Sequence, residues 1–105
     1  MKNLLKILGF SPKENTTGIF IKKYPLFDNY SIEVDFENEK IVYGTRIRSE
    51  SKTTQNFSQS ENWVVLECVN RLLEKGYNPE DIILEKTFQL GHNSGGRLDI
   101  FVERE

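Results

Sequence analysis

At 105 residues the chain has room for one domain and one modest core. Hydrophobic residues make up 37% and charged residues 29%, an ordinary globular balance, and no apolar run approaches the length of a membrane span. The net charge of -2 excludes an overall basic field as the means of holding nucleic acid, but not a local site where carboxylates gather around a cation.

The apolar run near the N-terminus is short and interrupted by Lys6, and no small-residue cleavage site follows it. It does not read as a secretion signal, and a cytoplasmic location is expected. Cys68 is the single cysteine, which rules out an internal disulfide and fits a reducing compartment. It falls within a helical stretch on what reads as the buried face, where packing is its expected role. One His and one Cys do not furnish a zinc site.

Taken in order, Leu4, Leu5 and Leu8 share one side of a short helix that stops at Gly9, and Ser11-Pro12 breaks away from it. Lys13 to Gly18 is a polar loop. Ile19 to Ile21 is a short β-type run ended by Tyr24-Pro25, because proline cannot donate to a ladder. Tyr30, Ile32, Val34 and Phe36 alternate with Ser31, Glu33 and Asp35, the pattern of a half-buried strand. After a turn at Glu37 to Lys40, the alternation Ile41, Tyr43, Thr45, Ile47 predicts a return strand, giving a hairpin or, with Ile19 to Ile21, a three-stranded meander. Ser49 to Ser60 is polar and reads as a linker, with Phe57 pinned onto the body.

The second helix begins near Ser58 to Ser60. Val65, Cys68, Val69, Leu72 and Leu73 form its expected core stripe. Gly76 is its C-terminal cap, and Pro79 prevents continuation. Ile82, Leu84, Phe88 and Leu90 share one face of the next strand. Leu98, Ile100 and Val102 share one face of the last, and Gly91 to Gly96 joins the two as an antiparallel hairpin. The expected class is α+β, in two parts. Residues 1–59 form a helix-and-hairpin extension with a polar linker, and residues 60–105 a long helix packed on a second hairpin.

Three carboxylates are candidates for chemistry. Asp99 lies between apolar neighbours in a strand, where aspartate is disfavoured without a partner or a metal. It can equally be an ordinary residue of the exposed face. Glu61, at about 100° per residue, falls on the side of Val65, Cys68 and Leu72 and would point towards the sheet beside Asp99. Equally, Ser58 to Glu61 fits a capping box, and a first-turn glutamate suits the helix dipole. Glu85 lies opposite either Asp99 or Arg97 across the hairpin, depending on register. Glu67 and Glu74 fall on other faces and read as solvated.

His92 has no nucleophile spaced around it, and its glycine-rich loop lacks a Walker pattern although its amides could approach a phosphate. Lys22, Lys23, Arg46, Arg48 and Lys52 would make a basic patch if the front hairpin folds back, or a solvated surface if it does not.

The series Glu61, Val64, Leu72-Leu73, Gly76-Tyr77, Ile82, Glu85 and Gly96-Arg97-Leu98-Asp99-Ile100-Phe101-Val102 resembles the start of a PD-(D/E)xK nuclease domain. It is most similar to the form near the N-terminus of Type I and related restriction-modification polypeptides, where such a domain precedes an N6-adenine DNA methyltransferase. The resemblance spans roughly the last 45 residues. It implies an αβββαβ core that cuts DNA with one or two Mg²⁺ ions, with Asp99 and Glu61 as the catalytic, metal-binding acids; Glu85 is a candidate further ligand from its place in the preceding strand. Leu98 stands where the family's proline precedes its aspartate.

The family's next strand carries an acid, a spacer and a lysine, and no lysine follows Asp99 here. The expectation is therefore an N-terminal fragment of a longer restriction-modification protein, truncated before that strand and inactive alone. Its last strand would leave an edge open for homodimer pairing. The alternative expectation is a non-catalytic module that binds DNA or a partner subunit through the front hairpin. A third is a structural domain without a ligand.

Overall fold

A computed structural model describes residues 2–49, 60–90 and 94–102. In the final hairpin the side chains described are those of Ile82, Ile83, Leu84, Ile100 and Val102. The chain runs as a short helix, a four-stranded antiparallel sheet, a longer helix and a three-stranded mixed sheet, which is the expected α+β class.

Helix α1 (Lys2–Leu8) ends at Gly9, whose φ of 99° suits a residue without a Cβ. Phe10 N–H closes back on the Leu5 carbonyl at 2.8 Å. Ser11–Pro12 then forms β1, pairing with Ile21 and Phe20 instead of simply breaking away. Its proline is tolerated because β1 is an edge.

Strands β2 (Ile19–Tyr24), β3 (Tyr30–Asp35) and β4 (Lys40–Val42) complete the sheet in the order β1-β2-β3-β4. Along β3, Tyr30, Ile32 and Val34 are buried while Ser31, Glu33 and Asp35 are half-buried, the alternation read from the sequence. Asp35 then builds the turn. Its carboxylate accepts the Glu37 and Asn38 backbone N–H groups at 2.9 and 3.1 Å and the Asn38 side-chain amide at 2.7 Å. These bonds, the Asn38 amide foremost, lower its pKa.

The return strand is shorter than its alternation implies. Pairing ends at Val42, and Gly44, at φ 78°, turns the chain away before Thr45 can join. Arg48–Ser49 then forms β5, which leaves the first sheet and runs parallel to β6 (Ile82–Leu90). The side chains of Tyr43 and Ile47 remain buried although their backbone is not in a ladder, so the apolar signal reports burial rather than strand. The polar segment 50–59, with Phe57, lies outside the described residues.

Helix α2 (Ser60–Glu74) buries Asn62, Trp63, Val65, Leu66, Val69, Asn70 and Leu73. Cys68 is exposed, which corrects its expected packing role: the true stripe is rotated towards Leu66 and away from Cys68. At the C-terminus, Gly76 N–H bonds Leu73 O at 3.1 Å and Tyr77 N–H bonds Leu72 O at 3.0 Å. With Gly76 at φ 97°, this is a Schellman cap. Pro79 opens a 3-10 turn (Pro79–Asp81) that leads straight into β6.

Strand β7 (Ser94–Val102) pairs antiparallel with β6 from Ile82↔Val102 to Leu90↔Ser94. The expected long glycine-rich loop is thus shortened, because Gly95 and Gly96 sit in the ladder opposite Gln89 and Phe88. Residues 91–93, with His92, lie outside the described residues.

Side chains on both sides of the expected boundary at residues 59 and 60 share one core. Leu5, Phe10, Ile32, Val34, Ile41 and Tyr43 pack with Trp63, Leu66, Val69, Leu73, Ile82 and Leu84. Within it Tyr30 Oη donates to the Tyr43 carbonyl at 2.7 Å, but Tyr43 Oη is buried without a hydrogen-bond partner. Burial pushes the Tyr43 hydroxyl far above the ordinary phenol range. An unpaired buried hydroxyl destabilises, so Tyr43→Phe, which keeps the ring, should raise stability by about 1 kcal/mol. Urea unfolding of the two proteins checks this, and a loss of stability would show that the hydroxyl has a partner in solution.

Candidate functional site

The hairpin register resolves the choice left open at Glu85. Leu84 faces Ile100 and Lys86 faces Leu98, so Glu85 stands opposite Asp99, while Thr87 is opposite Arg97. Two acids are thereby brought to adjacent places in one ladder. Like charges directly opposite are unfavourable unless a proton or a cation intervenes. The side chains of both acids lie outside the described residues.

Glu61 is not brought to them by its helix face. It is exposed, whereas the buried stripe runs through Asn62, Trp63, Leu66, Val69 and Leu73. The expectation that Glu61 begins the core-facing stripe is therefore corrected, for the same rotation that exposes Cys68. Glu61 is left in the first turn, where a carboxylate complements the helix dipole.

The basic patch expected on the front hairpin is largely consumed by internal bonds. Lys22, its side chain only 12% exposed, donates hydrogen bonds from its ammonium to the Leu8 carbonyl, to Asn70 Oδ1 at 2.7 Å and to Glu74 Oε2 at 2.9 Å. Glu74 is thus a partner to a near-buried cation as well as to the Asn70 amide at 3.1 Å, more than the solvated residue its spacing implies. Tyr24 Oη also donates to Asn70 Oδ1 at 2.7 Å, and burial foremost pushes that hydroxyl well above the phenol range.

Arg46 is likewise engaged. Its guanidinium holds Glu80 by two bonds of 2.6 and 3.2 Å, donates to the Phe27 carbonyl and lies over the Tyr30 ring. The bond from Arg46 holds the Glu80 carboxyl below its ordinary pKa. Arg48 donates to the Glu80 carbonyl at 2.9 Å. These bonds tie the turn after β2 and the segment before β5 to the entry of β6. Lys23 is exposed, and Lys52 lies outside the described residues.

A groove of about 680 Å³ opens between the end of α1 and β2, lined by Gly9, Ser11, Pro12, Lys13, Ile21 and Lys22 among others. It contains none of the three candidate acids. Among the described side chains no three metal-capable groups come together. No described helix is long and apolar enough to cross a membrane. Comparison with family models, curated proteins and solved structures finds no match for the chain.

Proposed function

We propose that this chain is the front part of a Mg²⁺-dependent DNA endonuclease-type domain of a cytoplasmic restriction-modification protein, and that it does not cut DNA by itself. The observation that supports this reading is the order helix, capped corner, strand, strand, with Asp99 in β7 directly across the ladder from Glu85. The resemblance to PD-(D/E)xK domains then gives β7 a further neighbour, and the sheet order β5-β6-β7 leaves an edge of β7 where that strand can pair.

The chemistry follows from the donor types. Mg²⁺ takes hard oxygen ligands and is often held by one or two carboxylates. Asp99 would be the central ligand, with Glu85 its closest acidic neighbour by register. A bound divalent cation would polarise a phosphoryl oxygen and lower the pKa of a water nucleophile. An acid on the further strand would complete the donor set, and its lysine would orient that water. Glu61, the helix acid of the resemblance, is better placed to cap α2 than to reach this pair.

The test is the coding sequence beyond Glu105 and the protein it specifies. An acid-spacer-lysine strand should follow within about 20 residues, the span of a short connection and one strand. The continued protein should cleave DNA with Mg²⁺ and stop with a chelator. Asp99→Asn should slow it by about a hundredfold or more, the order expected for losing a main transition-state contact. A continuation without that strand, or cleavage that survives Asp99→Asn, overturns the reading.

A further inference from the structure

Between β2 and β3 the chain makes a tightly held turn that carries an apolar side chain into solvent. The 3-10 turn Pro25–Phe27 runs into Asp28 and Asn29, at φ 40° and 65°. L-residues rarely adopt this left-handed conformation twice in succession, and Asp and Asn tolerate it best. The turn is anchored on both sides of its crest. Proline fixes φ at Pro25, while Phe27 is buried and its carbonyl accepts the Arg46 guanidinium. Leu26, between these anchors, is left 75% exposed. A lone exposed leucine is ordinary. This one borders a hollow of about 260 Å³, lined also by Tyr24, Pro25, Phe27 and Leu73, with Lys23 and Glu74 among its polar residues. Knob and hollow therefore adjoin on one surface.

We propose that this surface joins two copies of the chain about a two-fold axis, each placing its Leu26 in the hollow of the other. Two observations select a second copy as the occupant. A two-fold contact needs one surface that carries both parts of the fit, and here the knob lies beside the hollow it would fill in the other copy. The charges at the hollow are also of opposite sign. A two-fold that exchanges the leucines sets Lys23 of each copy against Glu74 of the other, whereas a uniformly charged partner would meet one of the two with like charge. Both groups have capacity for that bond. Lys23 is exposed, and the Glu74 side chain is 57% exposed. Its carboxylate accepts one bond from Asn70 and one from Lys22, of the roughly four it has room for. Because the turn already presents Leu26, little ordering cost opposes the contact. One leucine per copy in a hollow of this size makes a small interface, so the expected dimer is weak. Neither Glu85 nor Asp99 takes part, so the contact stands or falls separately from the nuclease reading.

Sedimentation equilibrium of the 105-residue chain tests this. The average mass should climb from one chain towards two between about 10 and 500 µM, the weak end of association expected of a small interface. Leu26→Asp places a carboxylate in an apolar hollow and should weaken association by about tenfold or more. Leu26→Met, close to leucine in volume, should keep the dimer. Lys23→Glu sets two pairs of like charges across the axis and should weaken association by about threefold or more. Far-UV circular dichroism establishes that each variant is folded, and if Leu26→Asp does not fold, Lys23→Glu decides in its place. A parent chain that keeps a single-chain mass to the highest concentration overturns the proposal. So does a dimer indifferent to Leu26→Asp or to Lys23→Glu, or a folded Leu26→Met that no longer associates.

Discussion

Asn70→Ala is expected to lower the stability of the fold by about 3 kcal/mol, although it removes only a small amide. The reason is what the amide serves. Asn70 is 2% exposed and sits where α2 meets β2. Both acceptor positions of its oxygen are taken, by the Tyr24 hydroxyl and the Lys22 ammonium, each at 2.7 Å. Its nitrogen donates to Glu74, which also accepts a hydrogen bond from the Lys22 ammonium. Truncation to alanine leaves a buried hydroxyl and a near-buried cation each short of an acceptor, and an unmet donor costs about 1–3 kcal/mol, more when charged. Tyr24→Phe removes one donor and leaves Asn70 bonded to Lys22, so it should cost only about 1 kcal/mol. Urea unfolding of the two variants separates them. A loss below that of Tyr24→Phe would mean that water takes over the role of the amide and that the cluster is not closed in solution.

This cluster also shows which parts of the fold can be read from the sequence. Asn70 and Lys22 lie 48 residues apart, and each alone looks like a surface residue. A helix-facing asparagine carries no periodic signal, so only the fold makes it a buried partner. Short-range signals fared better. Gly9 and Gly76 end their helices with positive φ, and the alternation along β3 survives residue by residue. The same alternation misled after Val42, where Tyr43 and Ile47 stay buried outside any ladder and Gly44 held the contrary signal. Parallel pairing of β5 with β6 joins residues far apart in the chain, and two residues of strand leave almost no local trace.

The candidate site divides in the same way. Its element order was legible because helix, cap and strands are each local patterns. The opposition of Glu85 and Asp99 needed the register, which the hairpin itself sets. The face of Glu61 needed the true orientation of α2, and counting Cys68 as apolar while leaving Trp63 out of the stripe rotated it wrongly. A stripe centred on Leu66 places Glu61 outside it, so the heaviest side chain of the helix was the signal that could have corrected the reading.

That side chain carries the other large expectation. Trp63→Ala should destabilise by about 3–5 kcal/mol, the range for deleting a buried aromatic side chain. Trp63 is 4% exposed and stacks on Phe36 with ring centroids 6.4 Å apart, and Phe36 meets Phe20 edge-on at 5.6 Å. It therefore links α2 to the first sheet, while Leu66, Val69 and Leu73 of the same helix share a core with Ile82 and Leu84 of the second. A domain of this size has about 5–15 kcal/mol in total, so the cavity would remove a large fraction of it. Because one core serves both sheets, the loss should appear as a single earlier transition by circular dichroism, with tyrosine fluorescence moving in step. Trp63→Phe, which retains the stacking partner for Phe36, should recover most of the difference. Two separated transitions in Trp63→Ala, with the tyrosine-rich first sheet melting at its original midpoint, would show instead that residues before and after the linker fold as independent units.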